Sequence, residues 1–204
     1  QDRLEAGKGV AREAIKYADE NYPDAGEGDI KYLLSICFPG HAALEKVIDG
    51  YRAVLDEDPR FVDVMDGDYL ATTNDPIECQ TAFEDALLAN PDLDMILPSD
   101  ANCGIAAKAV VDSGRDEVNV FGVCSSLLTM EMIQQGAMPF VADQNQYLQG
   151  YLPMSLLYAY YELDMPIIES GMTLDTGYIP ITSENIDEMY AMYEGISERF
   201  QGGE

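Results

Sequence analysis

The sequence predicts an α/β chain built on a parallel, doubly wound sheet flanked by helices. Three observations carry that expectation. Short apolar runs of strand length recur along the chain, and helical stripes separate them. Hydrophobic residues make up 47% of the 204, enough to bury a core. The third is the stretch at 94–113. Met95-Ile96-Leu97 suits a strand buried on both faces, and Pro98-Ser99-Asp100-Ala101-Asn102 forms a polar hinge. Ile105, Ala106, Ala109 and Val110 then recur at helical spacing. Such a unit puts Ser99, Asp100 and Asn102 at the carboxyl edge of an open α/β sheet, where small ligands bind.

The other elements follow in order. Residues 4–21 carry a helical stripe of Val10, Ala11, Ala14, Ile15 and Ala18, and Gly26 and Gly28 mark a turn after it. Residues 32–38 read as a buried strand ending at Pro39-Gly40. A helix over about 41–55 then shows Leu44, Val47, Ile48 and Tyr51 on one face. Residues 61–65 are a second strand, which Gly67-Asp68-Tyr69 leaves. Pro76 suits the first turn of the next helix, with Asn74 or Asp75 as cap, and Asn90-Pro91 stops it. After the central unit come a strand at 117–123, a helix at 127–135 closed by Gly136, and a strand at 138–142. Right-handed crossovers place all these strand ends along one edge. Past Asp143-Gln144-Asn145 the pattern changes. Residues 151–163 form an aromatic, strongly apolar helix in which Pro153 suits only the first turn. Residues 171–182 read as extended, and 186–200 as a final helix with an acidic face. The 151–163 helix carries more apolar surface than one buried face requires, so either it is deeply buried or its partner lies in sequence beyond this chain.

Net charge is −27, from 38 acidic against 11 basic residues spread along the chain. Such a surface repels nucleic-acid backbones and anionic membranes, so no nucleic-acid partner is expected through this segment. No apolar run reaches the length of a membrane span. The opening Gln1-Asp2-Arg3 lacks a methionine and leads at once into a helix, like the interior of a longer protein. Cys37, Cys79, Cys103 and Cys124 are widely spaced without a CxxC pair, which favours free thiols over a disulfide framework. Cys37, Cys103 and Cys124 fall near one sheet edge with His41, the only histidine. Metal sites draw on close-spaced ligand pairs that are absent here, so neither a metal nor a cofactor is expected. There is no Ser/His/Asp arrangement and no phosphate-cradling glycine loop, which points away from an enzyme.

Several pieces, in order, resemble the C-terminal half of type I periplasmic binding proteins, the sugar-binding components of ABC transporters. LacI-type repressors use the same lobe as an effector domain. Asp2 followed by Gly7-Lys8-Gly9 resembles the family's crossover into a long helix, and Pro39-Gly40 with Gly50-Tyr51 its first strand, turn and helix. Asn90-Pro91-Asp92-Leu93-Asp94-Met95-Ile96 resembles its approach to a strand, here followed by Ser99-Asp100. Gly122, Gln144 with Gly150, and Thr182-Ser183-Glu184-Asn185-Ile186-Asp187 follow the family's spacing. The resemblance implies two lobes joined by three crossovers, with ligand between them. Residues 1–147 would be the C-terminal ligand-binding lobe. Residues 148–170 would be a crossover helix belonging to the N-terminal lobe, most of which is absent, and 171–204 a return strand and C-terminal helix.

On that resemblance the ligand-facing residues are Phe38, Tyr69, Ser99, Asp100, Cys124 and Gln144. A sugar site combines planar hydrogen-bonding groups with apolar or aromatic faces, and this set offers both. Phe38 and Tyr69 serve equally as lobe packing, Ser99 or Asp100 as a helix cap, and Gln144 as a hinge hydrogen-bonder. Two positions depart from the family. Val47 stands where many sugar binders place an arginine, and Cys124 where many place an aspartate. The implied function is an extracytoplasmic solute-binding protein, periplasmic or a cell-surface lipoprotein, that captures a sugar-like ligand for an ABC permease. The alternative is a LacI-type effector domain. The 151–163 face also predicts self-association.

Overall fold

The computed structural model describes residues 2–165 and 174–201. Its strand order is β2-β1-β4-β5-β6-β7, with β3 paired to β1 beyond β2. Strands β1 (Ile30–Ile36), β2 (Phe61–Asp63), β3 (Leu70–Ala71), β4 (Met95–Pro98), β5 (Asn119–Val123) and β6 (Phe140–Asp143) are parallel. The last, β7 (Ile179–Ile181), runs antiparallel to β6. The expected parallel sheet is present, and the return segment closes it as an antiparallel edge.

Alternation along the strands divides the core in two. Tyr32 and Leu34 of β1 and Met95 and Leu97 of β4 face helices α1 (Arg3–Asn21) and α2 (Ala42–Leu55). Leu33 and Ile96 face the other way, against α3 (Pro76–Ala89), α4 (Cys103–Asp112) and α5 (Leu127–Gln134). The final helix α7 (Ile186–Gln201) joins that second face through Ile186 and Met189. Both sheet faces are therefore covered, as the continuous apolar strands require.

On the first face two glycines set the helix spacing. A Cβ on Gly7 would fall far inside contact with the Val47 carbonyl oxygen, and one on Gly50 would strike the Leu4 carbonyl. Helices α1 and α2 therefore meet backbone to backbone. Asp2 caps α1 by accepting from the Glu5 N–H at 3.1 Å, and Asp75 caps α3 by accepting from Ile77 and Glu78.

Several boundaries differ from the sequence reading, each for a local reason. The first strand begins at Ile30, because Ile30 and Lys31 pair with Phe61 and Val62, and it ends at Ile36. Beyond it the Cys37 N–H turns away to Asp100. The second strand stops at Asp63, whose carboxylate accepts from the Met65 N–H and starts a turn. The two-residue β3, with no periodicity to mark it, pairs with Ser35 and Ile36. The fourth and fifth expected strands begin later, at Asn119 and Phe140.

The crossover helix α6 runs Gln146–Glu162, starting five residues before the sequence reading. Asn145 takes a left-handed φ of 53° and turns β6 directly into it. The first turn, Gln146-Tyr147-Leu148-Gln149, has two adjacent apolar residues between glutamines and no stripe at helical spacing, so periodicity missed it. Pro153 consequently lies in the helix interior, where it removes a hydrogen bond to the preceding turn. No residue of α6 is buried, and Tyr147, Met154, Tyr158 and Tyr161 all stand more than half exposed. Of the expected 171–182 extended segment, Ile179–Ile181 is strand, and 171–173 lie outside the described residues.

The helix contact predicts the effect of one methyl group. Gly50→Ala should destabilise the protein by about 1–3 kcal/mol through overpacking, although alanine is the better helix former. Urea unfolding measures it. A midpoint equal to or above that of the parent would contradict the close contact.

Candidate functional site

The parallel register brings the exits of β1, β3, β4, β5 and β6 to one edge. Phe38 leaves β1 and is 48% exposed, a ring available to the edge. Tyr69 precedes β3, is half-buried, and donates its hydroxyl to Glu45 Oε1 at 3.0 Å. Glu45 also accepts from the Gly40 N–H, so the loop after β1 and the approach to β3 share one carboxylate.

Asp100 is the tie at the centre. It is buried, its Oδ2 accepts from the Cys37 N–H at 2.7 Å, and its Oδ1 accepts from the Asn102 N–H at 2.8 Å. One carboxylate thus holds the exits of β1 and β4 together. Neither Ser99 nor Asp100 caps α4. The N-cap is Asn102, whose side chain instead donates to Thr72 Oγ1 and the Thr73 carbonyl. Ser99 lies wholly buried, and its hydroxyl has no hydrogen-bond partner; the Ser35 hydroxyl on β1 is in the same condition. Both are polar groups that sequence reasoning either missed or placed at the open edge. Alternation on β1 could have marked Ser35, since it interrupts an apolar run.

Cys124 sits at the exit of β5 with φ 84°, a left-handed conformation uncommon for a residue with a side chain. Gln146 Nε2 donates to its sulfur at 3.4 Å. Burial, with the Asp143 carboxylate next in weight, pushes its thiol up to about 11, and the Arg3 charge opposes them. Burial and Asp100 likewise raise Cys37 to about 12. Cys103 is wholly buried, packs its sulfur into the space that Gly122 leaves, and donates to the Asp100 carbonyl. The four cysteines are free thiols. Among the described residues no three of His, Cys, Asp and Glu are grouped to hold a metal.

Gln144 follows β6 and is largely buried, with its carbonyl accepting from Gln149 Nε2 at 2.6 Å. Its neighbour Asp143 is a second buried carboxylate that sequence reasoning passed over. Asp143 accepts from the Ser125 and Tyr193 hydroxyls and from the Asn145 N–H at 2.6 Å. It binds the exit of β5, the start of α6 and the last helix to one point, and burial with this contact raises the Tyr193 hydroxyl well above its ordinary value. Val47 is wholly buried under α1, so α2 presents no side chain to the edge from that position. A cavity of about 410 Å³ lies beside the Asp143 tie, lined by Gln146, Tyr147, Tyr151, Ile179 and Met192.

A family model described as a periplasmic binding protein domain matches residues 1–163. The xylose/arabinose-binding protein XylF of Sulfolobus acidocaldarius is 28% identical over 182 residues, 84% of this chain and 43% of that protein. This chain thus spans less than half the length of that relative. Among solved structures, a carbohydrate transporter from Acidothermus cellulolyticus in complex with myo-inositol superposes with a TM-score of 0.73 at 19% identity, covering 95% of this chain and 62% of that one. The arabinose-binding protein AraP from Geobacillus stearothermophilus gives 0.71 at 22% identity, over 93% and 64%. A candidate LacI transcriptional regulator from Bacteroides fragilis gives 0.74 at 17% identity, over 92% and 62%. At these identities the structures establish the shared fold.

The thiols at the edge give a pH test. The thiolate is the reactive form, and a free cysteine ionises near 8.5. At pH 8 iodoacetamide should label Cys124 at least about tenfold more slowly than free cysteine, with the rate climbing about tenfold per pH unit towards 11. Mass spectrometry of the labelled peptide measures it. Labelling at the free-cysteine rate would contradict the burial and the influence of the Asp143 charge.

Proposed function

The chain belongs to the periplasmic binding protein domain family, and from that premise we propose that it is the ligand-binding lobe of an extracytoplasmic solute-binding protein. Its ligand is a small, sugar-like molecule trapped between this lobe and a second one and delivered to an ABC permease. The observation that carries the reading is the convergence of five parallel strand exits on one edge, organised by the Asp100 carboxylate. Open α/β sheets bind ligands at that edge. Phe38 and Tyr69 supply ring faces at the β1 and β3 side of the edge, and Asp100, Cys124 and Gln144 follow along the exits of β4, β5 and β6, with Ser99 beneath. The names of the relatives, which include xylose, arabinose and myo-inositol binders, support a sugar-like ligand. The role is capture and release without chemical change.

On this reading residues 1–147 are the lobe, 148–170 the crossover and 171–204 the return, whose strand Ile179–Ile181 pairs with β6. The bare α6 supports this division, since a helix with no buried residue and five exposed tyrosines awaits a covering surface. The second lobe is the proposed cover, and a second copy of this chain is the alternative. Among the described residues no helix is long and apolar enough to cross a membrane, so contact with a permease would be made by protein surface. The effector domain of a LacI-type regulator is the other use of this fold. A net charge of −27 weighs against it, because a regulator's body lies close to DNA phosphates.

The test is a thermal-shift panel of pentoses, hexoses, polyols and the corresponding sugar acids on the full-length protein. A ligand at about 100 times its Kd should stabilise the protein by about 2.7 kcal/mol. Gln144→Ala should weaken that ligand at least about tenfold, for a lost polar contact of about 1.4 kcal/mol or more. No response to any member of the panel would contradict the reading.

A further inference from the structure

The edge holds a cation with no ion-pair partner among the described residues. Arg3 opens α1 and lies in phase with the buried stripe of Ala6, Val10 and Ala14, so its side chain follows the face that covers the sheet. The helix runs opposite to the strands. Near its far end the Tyr17 hydroxyl donates to Asn119, at the start of β5, at 3.0 Å. Fourteen residues earlier, at about 1.5 Å per residue, Arg3 lies about 20 Å further along, level with the strand exits. The Cys124 thiol, at the exit of β5, feels its charge.

Arg3 Nη1 is buried and has no hydrogen-bond partner. In a sequence with 38 acidic residues this is unexpected. Arg60 pairs with Asp58 and Asp19, Arg115 with Glu117, and Arg52 donates to the carbonyls of Gly67 and Asp68. The two buried carboxylates near the same exit are engaged elsewhere. Asp143 is held by Ser125, Tyr193 and Asn145, and Asp100 by Cys37 and Asn102. A second orphaned donor, the Thr176 hydroxyl, lies on the segment that reaches α1 through the Asp2 N–H to Asp175 contact and through Tyr178 against Gly9. A buried guanidinium N–H without a partner is costly, and a carboxylate is the group whose geometry the guanidinium fork matches.

We propose that Arg3 is a specificity-determining residue of this edge and that the ligand presents a carboxylate to it, which makes the ligand a sugar acid rather than a neutral sugar. The proposal rests on the solute-binding reading above and narrows it. It also explains how the edge keeps a cation although Val47 is buried under α1.

Calorimetric titration of the full-length protein with two matched pairs, D-galacturonate with D-galactose and D-xylonate with D-xylose, tests it. The expected result is at least one acid bound tenfold or more tighter than its neutral partner. Arg3→Gln should abolish that ratio while Arg3→Lys retains part of it. A neutral sugar bound as tightly as its acid, or a ratio unchanged in Arg3→Gln, overturns the proposal and leaves the solute-binding reading standing. A fall in melting temperature of ligand-free Arg3→Gln with the ratio unchanged also overturns it, assigning Arg3 to a carboxylate of the second lobe. If no member of the wider sugar and sugar-acid panel binds, both fall.

Discussion

A buried carboxylate that accepts backbone N–H groups from two different strand exits cannot shift without breaking both bonds, and Asp100 occupies that position. Its oxygens take the Cys37 and Asn102 N–H groups, so the loop after β1 and the loop after β4 move as one. Leaving either N–H unsatisfied in a buried setting would cost about 1–3 kcal/mol. The side chain of Asn102, released from capping α4, reaches across to Thr72 and Thr73 and binds the approach to α3 into the same assembly. Asp143 repeats the device on the other flank, where Ser125, Asn145 and Tyr193 meet. Two buried carboxylates therefore shape the edge at which the ligand is proposed to bind, and both do so by ordering backbone and hydroxyls.

The packing beneath the edge is equally constrained. Gly7 and Gly50 let α1 and α2 meet backbone to backbone, and Gly122 leaves the space that the Cys103 sulfur fills. Close packing of this kind transmits displacement rather than absorbing it. The face formed by α6 is built on the opposite principle. It leaves five tyrosines exposed, and Asp143 anchors its first turn to the lobe through the Asn145 N–H. A close-packed sheet with an uncovered helix leaving it fits the proposal that this chain is one half of a two-lobed clamp.

Much of this was legible in the sequence because strand and helix periods alternate so regularly. The apolar run at 95–97 and the stripe from Ile105 to Val110 sufficed to locate the central unit, and Pro76 narrowed the next cap to Asn74 or Asp75, of which Asp75 is the one. Phe38, Asp100, Cys124 and Gln144 do follow strand ends, since parallel topology sends every exit to one edge, and Tyr69 precedes the short β3 that pairs with the end of β1. Orientation was not legible. Nothing in the order of residues distinguishes a hydroxyl that faces the edge from one that is buried beneath it, as Ser99 is, or a carboxylate that caps a helix from one that bridges two loops, as Asp100 does. The early start of α6 was hidden for a related reason. Its first turn sets Tyr147 and Leu148 between glutamines without a stripe at helical spacing, and Pro153 imitated a helix beginning. Arg3 and Asp143 escaped notice because their significance lies in contacts made, or left unmade, across long stretches of chain.

The central claim is that the strand-exit edge is the ligand-binding surface. Hydrogen–deuterium exchange of the full-length protein tests it most directly, with and without the sugar or sugar acid that gives the largest thermal shift. The account predicts new protection concentrated at residues 37–41, 69–72, 99–102, 124–126 and 144–146, with the amino-terminal edge around Lys31 and Arg115 unchanged. Protection at that opposite edge, with the exits unaffected, would contradict it.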